Sequence, residues 1–150
     1  MQECGECTLC CVLLEIRDKQ SPPLEVCPDC NLNVGCIRYD SRPEDCVNFN
    51  CSWKFDDNAH EDMRPDKCHV IFENLSEHIV FATIDPNYII SDLVMKQIAA
   101  FQRSGNSVFL QTFKNKPQIF LTEGANGNDV WNFIQEKLRE YKNDSTKLLH

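Results

Sequence analysis

A chain of 150 residues with 42% hydrophobic and 25% charged residues is long enough for one globular domain or two small ones. It has no apolar run of the roughly 18 residues that a membrane-spanning helix needs, which argues against a membrane protein. The net charge of −8 falls mainly on residues 1–68, which carry 14 acidic and 7 basic side chains. That distribution lacks the clustered Lys and Arg of a nucleic-acid-binding surface, so nucleic acid is not an expected partner.

Cysteine placement divides the chain into two parts. All 10 cysteines lie between Cys4 and Cys68, and residues 69–150 have none. We therefore predict a cysteine-rich metal-binding module in residues 1–68 and a second domain in residues 69–150 that packs against it. The first residues show neither the basic start nor the apolar stretch of a secretory signal, so we expect a reducing, cytoplasmic location. Thiols there stay free or bind metal, whereas structural disulfides are rare.

The cysteine-rich segment is irregular and has few large apolar side chains. Its cysteines lie mainly in three stretches, CGECTLCC at 4–11, CPDC at 27–30 and GCIRYDSRPEDCVNFNCSW at 35–53. Only residues 12–16 suggest a regular strand or the end of a helix. A segment with so small a core usually needs a metal or disulfides to fold.

The spacing of these cysteines predicts metal ligation. A CxxC pair lets two thiolates reach one ion from a tight turn, and two such pairs complete the tetrahedron that zinc prefers. The predicted ligands are the nine cysteines of residues 4–51, namely Cys4, Cys7, Cys10, Cys11, Cys27, Cys30, Cys36, Cys46 and Cys51. Because they exceed the need of a single ion, we expect two or more ions. Either some thiols are spare, or sulfurs bridge several ions in one cluster.

The adjacent pair Cys10-Cys11 constrains how such a site is built. Neighbouring side chains point in different directions, so we do not expect these two thiols to chelate one ion side by side. They either join two metals, or one is a ligand and the other is packed. Around them, Arg42 is a candidate donor of hydrogen bonds to thiolates, and Phe49 and Trp53 are candidates to shield the site from water.

Two other uses of the cysteines compete with metal binding. A disulfide framework would explain their even number, but the dense CxxC spacing and the expected cytoplasmic location oppose it. A thioredoxin-type redox pair needs a βαβ context, which neither Cys4 nor the turn-rich Cys27–Cys30 stretch provides. For Cys68, which precedes a predicted strand, a packed or free thiol fits as well as a ligand. His60 and His69 are expected to be surface or core residues.

Residues 69–150 show the alternating apolar pattern of strands and the spacing of amphipathic helices. Strands are predicted at 70–72, 79–84, 108–110 and 119–121. A helix is predicted between Ser91 as its N-cap and Gly105 as its C-terminal stop. A last helix is predicted to start at Asn128 or Asp129, with Val130, Ile134, Leu138 and Tyr141 on one face. The order ββαββα predicts an α+β fold, a small antiparallel sheet with two helices on one side.

The cysteine spacing is also similar to that of a known family. The stretch Cys4-x2-Cys7-x2-Cys10-Cys11 is followed by Gly35-Cys36-Ile37-x-Tyr39-x2-Arg42-Pro43-x2-Cys46-x2-Phe49-x-Cys51-x-Trp53. This pattern resembles the CxxCxxCC family, also called YkgJ-like, whose domains chelate zinc or iron. The resemblance implies a bacterial or phage cytosolic protein that holds its metal through Cys4, Cys7, Cys10, Cys11, Cys27, Cys36, Cys46 and Cys51, and it implies no particular reaction.

Three functions are compatible with these features. In the first, zinc ions stabilise an interaction module that binds a protein partner. In the second, an iron site or iron–sulfur cluster performs redox or other chemistry, since thiolate ligation suits such clusters. In the third, surplus thiols exchange ions and the protein stores or delivers metal. The sequence leaves open whether the protein is an enzyme, because residues 69–150 show no nucleophile–base motif and no phosphate-binding loop.

Overall fold

The computed structural model describes the backbone of residues 1–148 and the side chains of residues 1–143. Within that part the chain has a mixed α+β structure with six α-helices and two sheets. None of these helices combines the length and the apolar character that crossing a bilayer requires.

The cysteine-rich segment consists of short elements joined by turns. It contains helix α1 (Leu9–Leu13), strands β1 (Cys30–Asn31) and β2 (Gly35–Cys36), and helices α2 (Glu44–Val47), α3 (Ser52–Phe55) and α4 (Pro65–Cys68). Single 3-10 turns at Arg17–Lys19, Tyr39–Ser41 and Glu61–Met63 connect them. Helices this short are not stable by themselves, so packing or ligand binding has to hold the segment together.

A four-stranded sheet is the centre of the rest of the chain. Its strands are β3 (Val70–Asn74), β4 (Ile79–Ile84), β5 (Ser107–Gln111) and β6 (Gln118–Phe120), in that spatial order. Strands β3 and β4 are antiparallel, as are β5 and β6, but β4 and β5 are parallel. The prediction of an antiparallel sheet was therefore wrong at its central pair. Helix α5 (Asp92–Arg103) returns the chain to the end of the sheet where β4 began, so β5 runs in the same direction as β4.

Helix α5 covers one face of this sheet. Ser91 caps the helix as predicted, because its side-chain oxygen accepts a hydrogen bond of 3.2 Å from the backbone N–H of Val94. Val94 and Ile98 are fully buried and belong to the same core cluster as Val108 and Leu110 of β5. The predicted helical face is thus the one that packs on the sheet.

Helix α6 (Gly127–Leu148) covers the opposite face. Its Val130 and Ile134 form a core cluster with Ile79 and Phe109, whose side chain leaves β5 on the other side from its neighbours. The prediction that both helices share one side was therefore wrong. A parallel connection through α5 uses up the first face, so the apolar side chains of the second face need α6 as their cover.

The start of α6 also differs from the prediction. Its first free N–H groups are capped from one position earlier than the predicted caps, by Asn126. The Asn126 Oδ1 accepts hydrogen bonds from the backbone N–H groups of Asn128 (2.8 Å) and Asp129 (3.3 Å). Asparagine suits this role as well as aspartate does, and sequence alone does not separate adjacent candidates.

Strand β3 joins the two parts of the chain. Ile71 is buried in a cluster with Leu9 and Leu13 of α1, whereas its neighbours on β3 face α5. The backbone N–H of Asn74 donates a 3.1 Å hydrogen bond to the carbonyl of Asn50. The two parts are thus in direct contact, while the boundary at residue 68 stays a prediction.

Candidate metal centre

Eight cysteines of the N-terminal part line one cavity of about 110 Å³. They come from the loop before α1, from α1 itself, from the loop before β1, from β2, from α2 and from the residue before α3. These cysteines are Cys4, Cys7, Cys10, Cys11, Cys27, Cys36, Cys46 and Cys51. All ten cysteines are free thiols. Seven short segments, none of which has a core of its own, therefore direct their thiols towards a common space.

Backbone hydrogen bonds set the turns that bring these thiols together. The N–H of Cys7 donates to the carbonyl of Cys4, and the N–H of Cys30 donates to the carbonyl of Cys27, each at 2.9 Å. These bonds close the two CxxC turns. The N–H of Cys27 donates to the carbonyl of Cys11 at 2.9 Å, which fastens the second turn to α1.

Two glycines let the first turn approach the β1–β2 hairpin closely. Gly35 has a φ of +144°, and a Cβ added there would lie 3.1 Å from the carbonyl oxygen of Gly5. A side chain at Gly35 would push the hairpin away from the first CxxC turn, which carries Cys4 and Cys7. The glycine is therefore a structural requirement of the cavity.

The adjacent pair Cys10-Cys11 is hydrogen-bonded through its thiols. This bond lowers the pKa of Cys10 to about 7, and the positive charge of Arg42 acts in the same direction. The same bond raises the pKa of Cys11, which holds the shared proton. Both side chains line the cavity, although neighbouring side chains usually diverge.

Cys30, the ninth predicted ligand, reaches the others through Cys11. Its thiol is hydrogen-bonded to Cys11 and to Thr8, and β1 places it opposite Cys36 on β2. It does not line the cavity itself. The structure thus groups eight predicted ligands around one space and puts the ninth directly behind them.

Burial makes several of these thiols hard to ionise without a positive charge nearby. Desolvation raises the pKa of Cys7 to about 12, and desolvation together with neighbouring thiols raises that of Cys46 to about 11. Metal ligation requires thiolates, and a bound cation supplies the charge that offsets their desolvation.

Two buried cations also face the cavity. Arg42 lines it, and its Nε is buried without a hydrogen-bond partner, while the guanidinium lies 3.9 Å from the centre of the Tyr39 ring. Lys54 lines it as well and is only 7% exposed, with its Nζ 5.9 Å from the Tyr39 ring and 5.8 Å from that of Phe55. Among the described side chains, neither cation has a carboxylate in ion-pair distance.

The role of Lys54 was missed at the level of the sequence, whereas that of Arg42 was expected. Phe49 and Trp53 line the cavity in the shielding positions predicted for them. The available signal for Lys54 was its place between Trp53 and Phe55, because a lysine flanked by aromatic residues is often drawn towards the interior.

Cys68 lies away from the cavity. It is buried in the core cluster beneath α5, and its thiol donates to the carbonyls of Met63 (3.5 Å) and Val70 (3.3 Å). Of the two readings left open for it, the packed thiol describes this position. His60 Nδ1 accepts a hydrogen bond from the N–H of Asp62, and His69 stacks on Tyr88, so neither reaches the cysteines.

The thiols are neighbours without forming a closed coordination sphere. Within residues 1–143, no three Cys, His, Asp or Glu side chains converge closely enough to hold an ion as they stand. The donor set nevertheless fits a thiolate-bound metal, since the cavity combines many soft ligands with two unpaired cations. No protein-family model, no curated protein and no solved structure matches this chain.

Proposed function

We propose that the cysteine-rich segment binds two or more metal ions, most simply zinc, in a thiolate cluster that stabilises an interaction module. The ligands would be the eight cysteines that line the cavity, with Cys30 as a ninth. The observation that carries the proposal is their convergence on one space of about 110 Å³ together with two buried cations. The resemblance to zinc- or iron-chelating CxxCxxCC domains and the proposed cytoplasmic location are consistent with it.

Charge explains why the cations belong to this site. Four thiolates around one divalent ion leave a net charge of about −2, and two such ions that share sulfurs remain negative. A cation buried without a partner costs several kcal/mol, so a protein interior rarely keeps one. A thiolate cluster supplies the missing partner for Arg42 and Lys54, and neutral thiols would not.

The number of ions follows from the number of thiols. Eight thiols serve two separate tetrahedral sites, or a cluster in which some sulfurs bridge. The hydrogen-bonded neighbours Cys10 and Cys11 lie where one thiolate can serve each ion. We therefore expect a stoichiometry of two or more ions per chain.

The metal content of protein purified without oxygen tests the proposal. We expect about two or more zinc ions per chain and no visible absorption, because zinc has a filled d shell and no redox chemistry. A brown protein that contains iron and sulfide would favour the alternative, an iron–sulfur redox protein. Purified protein without bound metal that takes none up from solution would contradict both.

Two cysteine variants separate ligation from packing. Cys10→Ser removes a thiol of the cavity, and Cys68→Ala removes one from the sheet core. We expect Cys10→Ser to lower the zinc content measured by elemental analysis, whereas Cys68→Ala should lower stability and leave the zinc content unchanged. Equal zinc loss in both variants would contradict the assignment of the cavity.

Lys54→Met tests the charge argument at nearly constant side-chain volume. We expect about tenfold weaker retention of zinc in competition with a chelator, since a charge-assisted contact contributes about 1.5 kcal/mol or more. Lys96→Met, which removes an exposed lysine from α5, is the matched control and should retain zinc like the unmodified protein. Unchanged retention in Lys54→Met would show that the buried lysine serves another purpose.

A protein with a basic surface is the proposed partner of this module. The segment from Leu24 to Ile37 exposes five apolar side chains, each 44–70% accessible: Leu24, Val26, Leu32, Val34 and Ile37. The surrounding residues 1–68 carry twice as many acidic as basic side chains. Apolar contacts framed by negative charge suit a partner of opposite charge.

A further inference from the structure

A second and larger cavity, of about 760 Å³, opens beside the cysteine cavity. We refer to it as the α6 groove, because α6 forms one of its walls. Its apolar lining comes from both parts of the chain and consists of Leu14, Phe49, Leu75, Phe81, Ile134 and Leu138. Its volume lies in the range of small-molecule sites, and the apolar side chains provide walls of the kind such sites have.

The wall formed by α6 is the uncovered end of its apolar face. Val130 and Ile134 are buried against the sheet, but Leu138 on the same face is 41% exposed. One turn further, Tyr141 also lines the groove, and the guanidinium of Arg17 lies 4.1 Å from the centre of its ring. The helix extends past the sheet, and its remaining apolar side chains face the groove.

A carboxylate lies among these apolar walls. Glu73 of β3 lines the groove together with Phe81, the residue opposite it on β4. Its side chain is partly buried, and among the described side chains it has neither a hydrogen bond nor an ion pair. Burial raises its pKa to about 7, and no cation is close enough to offset that effect.

The remaining charges of the groove do not balance this carboxylate. Glu15, Asp18, Glu44 and Asp45 also line it, against the cations Arg17 and Lys137. Arg17 is already engaged with Asp45, to which its guanidinium and backbone N–H both donate. Lys137 lies at the exposed edge, 3.3 Å from Glu140. The described lining is therefore apolar and carries an excess of negative charge.

From this arrangement we propose that the α6 groove binds a small organic cation that has an apolar body. Its ammonium group would pair with Glu73, and its body would lie against Phe81 and Leu138. A cation supplies the partner that the carboxylate lacks, and the apolar part covers the exposed end of the α6 face. This binding site goes beyond the proposed metal function and does not depend on it.

The groove is also placed so that its ligand would lie next to the metal centre. Leu14, Glu15, Asp45 and Phe49 line both cavities and form a wall one side chain thick between them. A ligand on one side of this wall therefore contacts side chains that also shape the cysteine cavity.

Titration of the full-length, metal-loaded protein with phenethylamine at pH 8 tests the proposal. Two probes of similar size are the controls, neutral 2-phenylethanol and anionic 3-phenylpropionate, with binding followed by NMR shifts and calorimetry. We expect saturable binding of the amine, about tenfold or more tighter than that of the alcohol, and no binding of the acid. Equal affinity for amine and alcohol, or no binding of the amine, would overturn the proposal.

Glu73→Gln locates the site and keeps the side-chain volume. We expect it to weaken amine binding about tenfold, with little effect on the alcohol. Glu123→Gln removes the same charge from an exposed loop outside the groove and should leave amine affinity unchanged. Leu138→Gln, at a half-exposed position that tolerates polar residues, should weaken both probes. Full amine affinity in folded Glu73→Gln protein would overturn the assignment of Glu73.

Discussion

The two parts of this molecule are held together by different chemistry. Among the largest fully buried side chains of the described part, only Leu13 comes from the cysteine-rich segment, and the others lie between Val70 and Ile134. The sheet and its two helices exclude water with aliphatic and aromatic groups. The N-terminal part surrounds its interior with thiols and two cations instead. Apolar burial therefore accounts for the stability of one part, and the other needs a bound species.

Removing the metal should separate the two parts most clearly. In a reducing buffer without oxygen, a strong chelator should abolish amide-exchange protection in α1 to α4 and leave protection in β4 and β5. The binding energy of structural zinc, about 10–16 kcal/mol, is folding energy for a segment without its own core. Hydrogen exchange followed by mass spectrometry measures both regions in one sample.

Adding zinc back should restore the lost protection, which serves as the control for irreversible damage. Equal protection of α1 to α4 before and after complete metal removal would contradict the comparison. So would loss of protection in β4 and β5 together with the N-terminal helices, because the sheet would then depend on the metal as well.

Ile98→Ala should have the reverse pattern. Ile98 is fully buried between α5 and the sheet, and truncation of such a side chain costs about 2–5 kcal/mol of unfolding free energy. We expect a lower urea midpoint with an unchanged number of zinc ions per folded chain. Val26→Ala, at an exposed position, is the control and should change neither quantity. Loss of zinc from folded Ile98→Ala protein would show that the parts are more tightly coupled than their interiors suggest.

Ser91→Ala should have the smallest effect and refines the comparison within the sheet part. Its hydroxyl caps α5, so its removal should cost about 1 kcal/mol of unfolding free energy. Ser91→Asp, which keeps a capping oxygen, should restore most of that loss in a urea titration. Equal destabilisation by both substitutions would contradict a capping role.

The regular elements of the C-terminal part followed from local sequence signals. Alternating β-branched and aromatic residues predicted strands close to β3, β4 and β5, and the cap at Ser91 with the spacing of Val94 and Ile98 predicted α5. The parallel pairing of β4 with β5 did not follow, since it depends on how far α5 carries the chain. The positions of the helices on opposite faces depend on the same connection.

Less of the cysteine cavity followed from the sequence. Spacing identified the thiols as candidates, but their convergence depends on turns that bring Cys4, Cys27 and Cys51 together over long stretches of chain. The position of Lys54 could not be predicted, because a short helix can turn a lysine inward or outward. The α6 groove was also not predicted, since helical periodicity indicates an apolar face but not where its cover ends.

The place of Ile71 in the wall of the cysteine cavity has a consequence for synthesis of the chain. Translation proceeds from the N-terminus, so the thiols up to Cys51 leave the ribosome before Ile71 is added. At about 5–20 residues per second, the delay amounts to a few seconds at most. During that interval the thiols are open to solvent, to oxidants and to incoming ions. Metal capture by the nascent chain thus has its easiest route before β3 closes the wall.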